Sequence, residues 1–151
     1  MNTTMPTVSL QVRRHIKASR TRVFDAWTKP ELMSQWLNAC GGQVLSIQNT
    51  LRVGGEYSFR TSKPEMGEMA VKGIYKEITP PERLVFTWSY DSAKISMKEE
   101  TLVTVELTEK DGGTEVCLTH ERFPDAESCD QHQQGWGRIL DQMGKLFGGK
   151  A

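Results

Sequence analysis

Of the groups in this chain that could move a proton, ligate a metal or attack a carbonyl, His120 is the one whose setting is most constrained. It ends the run Val116-Cys117-Leu118-Thr119-His120, in which period-two alternation puts Val116, Leu118 and His120 on one face of a strand. A buried imidazole on that face needs a hydrogen-bond partner, and would either fix the local structure or orient a ligand. His132 lies one helical turn before Trp136, at the mouth of an interior or in solvent. Glu77 and Glu106 are the other candidates for acid or base work, although Glu106 falls on the outer face if Val103, Val105 and Leu107 point inward.

No catalytic constellation emerges from these residues. A metal site needs three or four ligands at characteristic spacing, whereas His120, His132, Cys117 and Cys129 offer alternate strand faces and no such motif. His120-Glu121-Arg122-Phe123 lacks the second histidine of a zinc-protease HExxH, and Gly135-Trp136-Gly137 lacks the third glycine of a dinucleotide fingerprint. No GxSxG elbow is present. The expectation is no metal, no cofactor and no assigned catalytic residue.

Large apolar side chains are the more informative group. Trp136, Leu140, Met143 and Phe147 recur at helical spacing, and are expected to face Tyr57, Phe59, Trp88 and Val103 or Val105 across an interior. Such a stripe serves as plain core in many domains, because a close-packed interior requires it. The same residues with His120 would line a binding cavity if space remains between them. Gly135 and Gly137 point that way: a glycine inside a helix costs about 1 kcal/mol relative to alanine, which close approach of a sheet or a ligand would explain.

The elements that must position these residues can be read in order. Thr7 to Lys17 alternates as a strand, and Ser19 offers an N-cap to a short helix carrying Val23, Phe24 and Trp27. Pro30 opens a second short helix, with Leu32, Met33, Trp36 and Leu37 continuing the apolar stripe. After Gly41-Gly42, further strands are expected at Val44 to Ile47, Glu56 to Thr61, Val71 to Ile78, Arg83 to Tyr90, Leu102 to Thr108 and Thr114 to Arg122. A phase break near Tyr75-Lys76 suggests a bulge, and Asp111-Gly112-Gly113 a hairpin connection. Leu84, Phe86, Trp88 and Tyr90 share one face of their strand.

Pro124-Asp125 then starts a long helix whose apolar face holds His132, Trp136, Ile139, Leu140, Met143, Leu146 and Phe147, ended by Gly148-Gly149. This order implies an α+β domain: an antiparallel sheet with helices on one face.

Composition bounds the partners. At 151 residues the chain is expected to form one domain, residues 1–151 with a core from about 8 to 147. Nineteen basic against nineteen acidic side chains leave no net field to draw the chain onto nucleic acid. The opening Met1-Asn2-Thr3-Thr4-Met5-Pro6 has no leader pattern and no apolar run reaches eighteen residues, so a cytoplasmic protein with no membrane span is expected. The cysteines Cys40, Cys117 and Cys129 are odd in number and lack CxxC spacing, which suits reduced thiols. A homodimer is a further expectation, since dimers are common among soluble proteins.

The chain also resembles the heat-shock protein 90 ATPase activator homologue-like family, within the SRPBCC or START-like (Bet v1-like) superfamily. The matching residues are Ala18 to Trp27 with Pro30-Glu31 and Trp36, Val53 to Tyr57, Gly73 to Ile78, and Pro81 to Trp88. Val103-Thr104-Val105, Gly113-Thr114, Leu118 to Glu121, His132 and Gly135-Trp136 complete the pattern, which spans roughly residues 8 to 147. The resemblance implies a helix-grip fold, a curved antiparallel sheet wrapped around a long C-terminal helix with two short helices after the first strand. It also implies binding of a small hydrophobic molecule in the cavity between sheet and helix, and the apolar faces read above put that site at Tyr57, Phe59, Trp88, Val103, His120, Trp136, Leu140, Met143 and Phe147. Two alternatives accompany it: a cyclase, dehydratase or hydrolase using the same cavity, and a protein-interaction role such as regulation of a chaperone ATPase. Relatives with the latter activity carry a further N-terminal domain that these residues do not include.

Overall fold

A computed structural model describes residues 8–37, 43–63, 67–92, 100–123 and 125–147. The Cys40 thiol, the Gly41-Gly42 and Gly148-Gly149 breaks, Thr7, Pro124 and the side chain of Tyr90 lie outside the described residues. The elements are β1 (Val8–Ile16), α1 (Arg20–Thr28), α2 (Pro30–Met33), β2 (Gln43–Asn49), β3 (Glu56–Lys63), β4 (Gly67–Thr79), β5 (Arg83–Ser92), β6 (Thr101–Lys110), β7 (Gly113–Phe123) and α3 (Ala126–Leu146). All seven strands join one antiparallel sheet in the order β1-β7-β6-β5-β4-β3-β2, so β2 through β7 form a meander and β1 closes onto the last strand.

Local chemistry accounts for most boundaries. Ser19 caps α1 by accepting from the Arg22 backbone N–H at 3.3 Å, and Pro30 begins α2 where its missing N–H costs nothing. Asp125 caps α3 by accepting from Ser128 N–H at 2.7 Å. Between β6 and β7 the loop is two residues, Asp111 and Gly112, with φ of 49° and 75°. Both residues are left-handed, as a type I′ hairpin turn requires, and glycine at the second place takes that conformation without Cβ strain.

Bulges bend the sheet at three places. Lys76 is the extra residue between the Tyr75–Phe86 and Glu77–Val85 pairs, where the phase of β4 breaks in the sequence. Leu45 is extra in β2 against β3. Opposite Ser9 the β7 strand carries an added residue, and Arg122 has a φ of 73°.

The inner face of the sheet carries Val12, Tyr57, Phe59, Val71, Tyr75, Leu84, Phe86, Val103, Val105, Leu107, Val116 and Leu118, all buried. Against it pack Val23, Phe24 and Trp27 of α1, Met33 of α2, Trp36 and Leu37 of the turn that follows, and Trp136, Leu140 and Met143 of α3. Glu106 lies on the opposite, exposed face, where Arg83 binds it at 2.8 Å and Glu77 at 3.2 Å. Among the described residues no helix is long and apolar enough to cross a membrane.

Candidate functional site

Alternation along β3, β4 and β5 delivers five aromatic rings to one region of the inner face: Tyr57 and Phe59, then Tyr75, then Phe86 and Trp88. The helical side supplies the opposing wall, Trp27 from α1, Met33 from α2, Trp36 from the turn beyond it and Trp136 from α3. These nine side chains line a cavity. Its rings are in contact around the wall: Trp136 lies 5.0 Å from Trp88 and 5.9 Å from Trp27, Trp27 lies 5.1 Å from Trp36, and Phe59 lies 5.8 Å from Trp88 between centroids. The empty volume, counted as positions open to the centre of a water, is about 20 Å³. That is room for about one water.

Tyr57 is placed by a built contact. Its hydroxyl donates to the Thr87 carbonyl at 2.5 Å, with the ring lying across Gly73. A Cβ at Gly73 would come within 2.6 Å of the Tyr57 ring and 2.0 Å of the Thr87 carbonyl oxygen, so only glycine permits this approach. Burial, then the neighbouring Tyr75 phenol and Glu100, hold the Tyr57 hydroxyl well above its usual pKa. Tyr75 is raised as well, chiefly by burial, against the opposing effect of Asn49, whose amide donates to its oxygen at 3.2 Å. Both phenols stay protonated at neutral pH.

His120 sits behind this wall, fully buried, in a hydrogen-bond chain whose direction is fixed by its two ends. An indole N–H only donates and a carbonyl only accepts. Trp136 Nε1 donates to His120 Nδ1 at 2.9 Å, so Nδ1 carries no proton. The proton is therefore on Nε2, which donates to Thr101 Oγ1 at 2.6 Å, and the threonine hydroxyl donates to the Trp88 carbonyl at 2.8 Å. Burial first, then the nearby His132, pulls the His120 pKa down to about 2. With Nδ1 accepting from Trp136 and Nε2 donating to Thr101, His120 fixes the ring of Trp136.

His132 is half-buried rather than solvated. Its ring lies 5.2 Å from His120 and 4.9 Å from Phe123, and Nδ1 donates to the Ser128 carbonyl at 2.8 Å. Burial depresses its pKa, partly offset by that bond.

The four indole N–H groups divide evenly. Trp36 donates to the Ala26 carbonyl at 2.7 Å, and Trp136 to His120. Trp27 Nε1 and Trp88 Nε1 are buried with no hydrogen-bond partner among the described residues. An unmet buried donor costs about 1–3 kcal/mol.

The expected site residues thus separate. Tyr57, Phe59, Trp88 and Trp136 line the cavity. Val103, His120, Leu140 and Met143 are buried in the surrounding core and do not line it. Phe147 is half-buried beyond the last turn of α3, where the Arg22 guanidinium stands 4.9 Å from its ring centroid. Glu77 and Glu106, weighed above as acid or base, share Arg83 on the outer face and are remote from the cavity. At Gly137 a Cβ would meet the guanidinium of Arg14, a β1 side chain, at 3.3 Å, and Arg14 also pairs with Asp141 at 2.9 Å. Among the described residues no three His, Cys, Asp or Glu side chains cluster to hold a metal, and Cys117 and Cys129 are buried free thiols.

Sequence reading missed Trp27, Met33, Trp36, Tyr75 and Phe86 as lining. Phe86 alternates with Trp88 and was already on the correct face, and the Trp27, Met33 and Trp36 stripe was visible, but its destination was not.

Comparison with solved structures places the chain among proteins of the same fold. It resembles a putative uncharacterized protein from Rhizobium leguminosarum with 26% identity and a TM-score of 0.81, over 96% of this chain and 97% of that one. Protein CV1439 from Chromobacterium violaceum also has 26% identity, with a TM-score of 0.83 over 92% and 96% of the two chains. CalU16 from Micromonospora echinospora, at 22% identity and a TM-score of 0.67 over 92% and 75%, shares the fold. None of the curated proteins matches. The seven-stranded sheet with its long final helix is the helix-grip arrangement, residues 17–148 match the family described as Activator of Hsp90 ATPase homolog 1-like protein, and the chain belongs to that family, within the SRPBCC superfamily.

Proposed function

We propose that this chain captures a small, predominantly apolar molecule between β3–β5 and the helical wall formed by Trp27, Met33, Trp36 and Trp136. The observation that supports it is the lining itself: eight aromatic rings and one methionine converge on a space that they do not quite fill. Aromatic faces and a flexible thioether suit apolar guests of varied outline, and each Å² of apolar surface removed from water contributes about 25 cal/mol.

Entry requires the wall to yield. A cavity that takes up benzene measures about 150 Å³, against about 20 Å³ here. The shortest element of that wall is α2, a single turn of four residues whose N-cap makes no side-chain hydrogen bond. Its displacement would carry Met33 away from the sheet, whereas Trp36 is held by the Ala26 carbonyl and Trp136 by His120.

Native mass spectrometry of the purified protein, with extraction of whatever small molecule accompanies it, tests the reading. An adduct that is apolar on extraction is the expected result. An empty protein whose indole N–H resonances also fail to respond to saturating 2-ethylnaphthalene overturns it.

A further inference from the structure

The two unpartnered indoles are not scattered through the core. Trp27 and Trp88 both line the cavity, both lie against Trp136 with their rings tilted, and both hold their Nε1 out of reach of solvent. The polar groups around them do not offset this. Trp36 and Trp136 donate to the Ala26 carbonyl and His120, the Tyr57 hydroxyl donates to the Thr87 carbonyl, the Tyr75 oxygen accepts from Asn49, and among the described residues no acceptor is hydrogen-bonded to Trp27 Nε1 or Trp88 Nε1. Buried polar groups in folded proteins are nearly always paired, so a donor pair left over at one cavity points to an acceptor that arrives from outside. No charged side chain is among the nine that line the space, and an ionised guest would be stripped of water without a counter-charge.

Resting on the cavity reading above, we infer that the guest carries a neutral hydrogen-bond acceptor, a carbonyl or ether oxygen on an otherwise apolar frame, which accepts from the indole N–H of Trp27, of Trp88, or of both. The excess of donors selects acceptors, the apolar lining selects the frame, and the lack of a cation rejects carboxylates and phosphates.

Three molecules of similar shape separate these features: 2-acetylnaphthalene, with a ketone; 2-ethylnaphthalene, with none; and 2-naphthoate, ionised. Each is titrated into the ¹⁵N-labelled protein, following the four indole N–H resonances. The ketone is expected to bind about tenfold more tightly than the hydrocarbon, a factor equivalent to about 1.4 kcal/mol, and 2-naphthoate more weakly than either. Between ketone and hydrocarbon, the resonances of Trp27 or Trp88 should differ by a downfield shift, and those of Trp36 and Trp136 should coincide. In Trp27→Phe or Trp88→Phe, whichever removes the indole that shows the ketone-specific shift, the ketone-to-hydrocarbon affinity ratio should fall toward one, whatever happens to either affinity alone. Equal binding of ketone and hydrocarbon, or a ketone-specific shift at Trp36 or Trp136, overturns the acceptor inference and leaves the cavity standing. Failure of all three to bind overturns both. Should a variant not fold, the wild-type resonances still decide.

Discussion

Protonation of His120 is the perturbation whose consequence follows most directly from the geometry. In the unfolded chain this imidazole takes a proton at about 6.5, whereas in the fold burial and His132 pull its pKa down to about 2. Between those values the unfolded state binds one more proton than the native state, so stability must rise with pH and fall as the solution is acidified. The stabilising difference is fully present above about 6.5 and is lost progressively below it, at about 1.4 kcal/mol per pH unit. From pH 6.5 to 4.5 His120 alone therefore removes about 2 kcal/mol, and His132, shifted in the same direction, adds to the loss.

Against a total of about 5–15 kcal/mol for a native protein, this is large enough to see in urea titrations followed by tryptophan fluorescence at half-unit pH steps. His120→Phe keeps a ring but removes the titration, and its stability should fall less steeply over the same window, by about 1.4 kcal/mol per pH unit. At neutral pH the variant pays instead for the stranded Trp136 N–H, about 1–3 kcal/mol. Equal pH slopes in the two proteins would refute the reasoning. So would imidazole ¹⁵N shifts showing the proton on Nδ1 of His120, or a titration near 6.5 in the folded state, and that measurement needs no variant.

Other perturbations separate the parts of the site. Trp136→Phe leaves His120 Nδ1 without its donor, while Trp27→Phe removes an N–H that has no partner, so the first should cost about 1–2 kcal/mol more than the second in denaturant unfolding. Gly73→Ala drives a methyl into the Thr87 carbonyl and the Tyr57 ring, and a loss of about 3 kcal/mol is expected in the same assay, with Tyr57 displaced. Asp125→Ala should cost about 1 kcal/mol by removing the α3 cap, with Asp125→Ser restoring most of it.

The sequence makes plain which faces are apolar and leaves open where along them the cavity falls. Trp136, Leu140, Met143 and Phe147 do lie on one side of α3, yet a helix advances about 1.5 Å per residue, which carries Leu140 about 6 Å and Phe147 about 16 Å beyond Trp136. Only the first of them reaches the rings of β3 to β5; the others fill core or meet Arg22. Periodicity has no term for that translation. Conversely, Trp27, Met33 and Trp36 were legible as a stripe, but their opposition to Phe86 and Tyr75 depends on α1 and α2 folding over strands that come some fifty residues later. Tyr75 was further obscured because it borders the bulge, though its alternation with Val71 and Gly73 holds up to that point.

Hydrogen bonding was the least legible layer, and it decides the chemistry. His120 could be placed on an inward face, but whether it served a guest or the fold turned on what faced its two nitrogens. Trp136 and Thr101 occupy them, from different elements, and the donor-only indole together with the acceptor-only Trp88 carbonyl leaves one arrangement of protons along the chain. His120, the fully buried imidazole behind the cavity wall, is thereby consumed in holding Trp136. On the reading proposed above, the indole N–H groups of Trp27 and Trp88 are donors left for a guest, and they donate without titrating, so a guest there would be recognised through its acceptor.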